Sequence, residues 1–108
     1  MSALALTACV TGPARLAENP QHELTSVAFF PQDTHQCGPA ALATMLVSTG
    51  VDTTPEALVP EVYIPAKRGS LQIEMLAAAR SHGRIPLLLA PDFSALRTEL
   101  EAGNPVLV

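Results

Sequence analysis

Phe30-Pro31-Gln32-Asp33-Thr34-His35-Gln36-Cys37-Gly38-Pro39-Ala40-Ala41-Leu42 is a polar loop that turns abruptly into an apolar run. Ala40, Ala41, Leu42, Met45 and Leu46 recur at helical spacing, and Gly50 supplies a stop. Pro39 suits a first helical turn, where its missing N–H loses nothing. The spacing therefore predicts a largely buried helix that begins at Cys37. A cysteine there sits at the positive end of the helix dipole, which favours thiolate, the nucleophilic form. Gly38 leaves room for a substrate carbonyl to approach the backbone. The Cys37 N–H can then donate to a developing oxyanion, and a glutamine from the preceding loop can supply a second donor. Gln32 is the candidate for that donor; Gln36 reads as a local loop contact.

The flanks read as short, punctuated elements. Val27-Ala28-Phe29-Phe30, stopped by Pro31, is consistent with an edge strand or an extended lead-in segment. Thr54-Pro55-Glu56 is a helix start, cap then proline then acid, for a short helix through about Val59. Pro60 and Pro65 bracket an irregular connector holding Tyr63. Ser70 is placed to cap a third helix running to Arg80, with Leu71, Met75, Leu76 and Ala79 inward and Gly83 ending it. Residues 84–89 read as a short strand weakened by Pro86. Asp92 is placed to cap a fourth helix over residues 93–102, with Phe93, Leu96 and Leu100 inward and Gly103 as stop. Pro105-Val106-Leu107-Val108 begins a β-branched run, and ending a strand after four residues reads as truncation.

The whole chain has 108 residues, enough for one small domain. With 48% apolar and 15% charged residues it lies outside the disordered class. A formal charge of −4 leaves no basic face for nucleic acid and no polybasic patch for anionic lipid. No window of about 18 uninterrupted apolar residues offers a membrane-spanning helix. The two cysteines, Cys9 and Cys37, have no pair-of-pairs spacing, and His22, His35 and His82 share no helix face. Neither a metal nor another cofactor is therefore expected.

Met1 to Ala8 is small and apolar, and Leu6-Thr7-Ala8-Cys9 resembles the bacterial lipoprotein box. On that reading residues 1–9 are a signal remnant, Cys9 carries the lipid, and residues 10–26 tether a domain covering 27–108 at the cell envelope. No Lys or Arg precedes Cys9, and the alternative is an apolar N-terminus with a chance four-residue match.

Phe30-Pro31-Gln32 followed by Gln36-Cys37-Gly38-Pro39-Ala40-Ala41-Leu42 resembles the papain-like peptidases that process double-glycine leader peptides, the bacteriocin-processing family, in its lipoprotein-like branch. Val62-Tyr63-Ile64-Pro65, residues 69–75 and residues 103–108 resemble that branch's following segments in order, so the likeness covers about residues 29–108. The resemblance implies an α+β, papain-like fold of which the mainly helical N-terminal lobe is present and the strand lobe is truncated. It implies hydrolysis of a peptide or protein substrate through a thioester, with Cys37 as nucleophile and Gln32 as oxyanion-hole side chain. The step from Gln32 to Cys37 is one residue shorter than is usual in the family. The family's catalytic His and its orienting Asp or Asn fall on later strands with no counterpart here, so the truncated chain is expected to be inactive.

The remaining candidates have plain structural readings. His35 reads as a solvent-facing loop histidine rather than a catalytic base, and His82 as a partner of a helix C-terminus. Helix capping accounts for Ser70 better than a serine nucleophile does. Two alternative functions stay open: a non-catalytic module that binds leader peptides, and a thiol redox protein, which would need Cys9 as its second thiol. A missing second lobe is expected to leave Leu42, Met45 and Leu76 partly uncovered and the chain poorly soluble or weakly stable. Nothing in the sequence indicates an oligomeric state.

Overall fold

The computed structural model describes residues 22–108. Four α-helices follow one another: α1 (Cys37–Ser48), α2 (Pro55–Val62), α3 (Gln72–Ser81) and α4 (Phe93–Glu101), with a 3₁₀ turn at Pro65–Lys67.

Each helix begins and ends by local chemistry. The Thr54 hydroxyl accepts from the Ala57 N–H at 3.3 Å and opens α2. Helix α2 then runs three residues past the expected Val59, carrying Pro60 inside it, and the Tyr63 N–H still reaches the Val59 carbonyl at 2.9 Å. At the end of α1 the Gly50 N–H bonds the Val47 carbonyl and the Val51 N–H reaches the Leu46 carbonyl, both at 3.0 Å. That paired closure needs a left-handed residue, and Gly50 supplies it with φ +88°. Helices α3 and α4 close in the same way around Gly83 and Gly103.

The core lies where α1, α2 and α3 meet. Leu42, Ala43 and Leu46 of α1 meet Leu58 and Val62 of α2 and Ala78 and Ala79 of α3, with Phe30, Val51 and Met75 packed around them. Ala78 and Ala79 give α3 a flat face that can approach closely. Leu42 is covered here, against the expectation of an uncovered inner face, whereas Met45 and Leu76 are half-buried. Helix α4 contributes no residue to this core and has none of its own side chains fully buried. Its Phe93, expected inward, is 73% exposed.

The α+β, papain-like expectation is overturned: the described residues contain helices and no strand or sheet. Among the described residues a single isolated antiparallel bridge joins Ile64 to Gly69. The three runs read as strands, 27–30, 84–89 and 105–108, are irregular. A strand is stable only against a partner strand, and Pro31, Pro86 and Pro105 each remove a donor from any ladder. The apolar runs are thus left without partner strands, and Ile85, Leu87 and Leu88 are 87%, 84% and 68% exposed.

Candidate functional site

Cys37 is the first residue of α1, a free and exposed thiol. The chain reaches it through a turn. The Asp33 carboxylate accepts from the Thr34 N–H at 2.8 Å, and the Gln36 N–H donates to the Asp33 carbonyl at 3.0 Å. His35 sits between them with φ +63°, a left-handed conformation that histidine tolerates better than most side chains. Gln36 is the N-cap but donates and accepts no side-chain capping bond, and the first turn of α1 carries no acidic residue. The positive end of the helix is therefore left to the thiol and to whatever approaches it.

Directly after the exposed cysteine, Gly38, Pro39 and Ala40 are buried. The tip of α1 is driven into the protein with only Cys37 at the surface. Gly38 does not offer its open face to substrate, as the sequence suggests, because Ser70 occupies it. A Cβ on Gly38 would overlap both the Cβ and the hydroxyl of Ser70. Ser70 in turn does not cap α3: that helix starts at Gln72 behind an N-cap Leu71 with no capping bond. The Ser70 hydroxyl is buried without a hydrogen-bond partner.

Gln32 and His35 are both exposed in the segment ahead of α1. No hydrogen bond joins either side chain to Cys37 among the described residues. His82 is the C-cap residue of α3, near the helix end the sequence points to, and its Nε2 lies 3.0 Å from the Glu61 carboxylate, tying α3 to α2. Glu61, and Arg84 through its guanidinium contacts with Thr49 at the end of α1, carry no local sequence signal, because both are tertiary pairings. Cys9, residues 1–9 and most of the 10–26 tether lie outside the described residues. No cluster of three or more His, Cys, Asp or Glu is placed to hold a metal among the described residues. No described helix is long and apolar enough to cross a membrane.

Comparison with protein-family models, with curated proteins and with solved structures returns no match for this chain.

Proposed function

We propose that this chain carries the nucleophile-bearing part of a cysteine peptidase, with Cys37 as the attacking thiol. The observation that supports it is an exposed free cysteine opening a helix that no side chain caps, on a turn whose next three residues are buried. Burial fixes the backbone and exposure gives access. In the reaction the Cys37 sulfur bonds to the scissile carbonyl carbon, the C–N bond breaks, and the amine leaves with a proton. Water then splits the thioester, releasing the acid and returning the thiol. The first step needs an imidazole that takes the thiol proton and passes it to the amine. We do not assign that role to His35, which is exposed and has no hydrogen bond to its ring among the described residues. The resemblance places the imidazole on a later strand and matches it to none of His22, His35 and His82, so this reading predicts labelling of Cys37 rather than turnover. The leader-peptide substrate and the envelope location through lipidated Cys9 belong to the same proposal and rest on the motif resemblances.

A second reading, a leader-peptide-binding module without chemistry, is favoured by the exposed apolar run of Ile85, Leu87 and Leu88. One experiment separates the two. The chain and its Cys37→Ala variant are treated with an electrophilic cysteine-peptidase probe, and each is titrated with a labelled double-glycine leader peptide. Probe labelling lost in the variant supports the nucleophile. Peptide binding without labelling replaces the first reading with the second, and the absence of both removes them together.

A further inference from the structure

We propose that Ser70 is the positioning residue of the Cys37 turn, acting through Gly38. The inference deepens the reading of Cys37 as a nucleophile and rests on it. Gly38 and Ser70 share one space. Gly38 lacks the Cβ atom whose place the Ser70 side chain takes, and the Ser70 Cα lies only 3.7 Å from where that atom would be. The two residues are far apart in sequence, so the contact braces the first turn of α1 against the segment leading into α3.

The contact is steric. The Ser70 hydroxyl has no hydrogen-bond partner, so no bond to a helix end explains why this side chain lies here. On its other flank Ser70 is anchored through its neighbour, because the Gly69 carbonyl accepts from the Ile64 N–H at 2.8 Å in the single bridge. A fixed bridge therefore presses Ser70 into a notch one residue from the exposed thiol. Moving Gly38 moves the Cys37 backbone, and with it the direction in which the sulfur points.

The test exchanges the filling group between the two sides of the notch. In a Cys9→Ser background, where Cys37 is the only thiol, the rate of alkylation by iodoacetamide is followed against pH, with helix content measured by circular dichroism. Gly38→Ala is expected to change the alkylation rate about tenfold, less than the roughly hundredfold that a misplacement of about 1 Å costs a positioned reaction, because iodoacetamide approaches freely. Ser70→Gly is expected to shift it as well, by leaving the notch empty. Ser70→Ala keeps the Cβ and is expected to retain the parent profile, and Gly38→Ala combined with Ser70→Gly is expected to return to it. The proposal is overturned if the combined variant keeps the Gly38→Ala defect while folded. It is overturned equally if Ser70→Gly and Ser70→Ala both leave the profile unchanged, an arm that holds even if Gly38→Ala fails to fold. Alkylation needs no turnover, so failure of the peptidase reading leaves this result standing, and the reverse holds too.

Discussion

The Arg84 guanidinium holds Thr49 at two points, Nε donating to the threonine hydroxyl at 2.9 Å and Nη2 to its carbonyl at 2.8 Å. Thr49 is the C-cap of α1, and its hydroxyl passes the contact on by donating to the Leu46 carbonyl at 2.8 Å. A cation thus lies on the negative end of the helix whose other end presents Cys37. With Ser70 at the tip, the segments flanking α3 grip α1 at both ends. Arg84→Ala is expected to destabilise the fold by about 1 kcal/mol, the scale of a charge-assisted contact at a partly exposed helix end. Arg84→Lys is expected to recover only part of that, because an ammonium cannot reproduce the planar fork. Urea denaturation of the three proteins measures both differences.

Leu58 is the largest fully buried side chain among the described residues. It is fully buried on α2, in the cluster that joins all three packed helices. Leu58→Ala is expected to cost about 2–5 kcal/mol, the range for a buried leucine whose site cannot collapse. Small domains have little stability to spare, so the expected outcome is loss of the cooperative thermal transition. Ala57→Ser, one position away on the exposed side of the same helix, is expected to leave the transition in place. Circular dichroism melts of both variants check the contrast.

Helix α4 should respond to acid through its cap. The Asp92 carboxylate accepts from the Ser94 hydroxyl at 2.6 Å and from the Ala95 N–H at 2.8 Å. The Ser94 hydrogen bond first, and the Ala95 N–H next, hold its pKa below the ordinary value of 3.8. A carboxyl lowered in the folded state stabilises that state above its unfolded pKa, and the contribution drains away as pH falls through the lowered value. The Ala95 amide resonance is therefore expected to stay constant from neutral pH down to about pH 5 and to move only in stronger acid. Asp92→Asn keeps a capping oxygen but does not titrate, so that movement should vanish in the variant.

What the sequence reveals of this architecture is its local chemistry. Thr54, Asp92, Gly50 and Gly83 mark helix ends because capping depends on neighbours along the chain, and each lies where such a signal should. Cys37 at the head of α1 is legible for the same reason, through Pro39 and the apolar spacing behind it. Ser70 has the same outward appearance as Thr54, yet it packs on Gly38, and only the meeting of distant segments decides between the two uses. The pairing of Glu61 with His82 and of Arg84 with Thr49 is hidden likewise. The runs at 84–89 and 105–108 carry strand-forming residues, but propensity makes a strand only where a partner offers its ladder.

The unpaired run after α3 supplies the last expectation. Leu87, 84% exposed, lies with Ile85 and Leu88 on one irregular segment, and Phe93 adds a ring nearby in sequence. Apolar surface concentrated in this way drives self-association, and it gives a dye that seeks such patches a place to bind. Because none of these residues belongs to the buried cluster, replacing them should not weaken the core. Ile85→Thr combined with Leu87→Lys is expected to lower binding of 8-anilinonaphthalene-1-sulfonate and to shift the sedimentation profile toward monomer, with the melting temperature unchanged. A clear fall in melting temperature would instead mean that the segment is covered in solution, and the exposure of this run would then have to be revised.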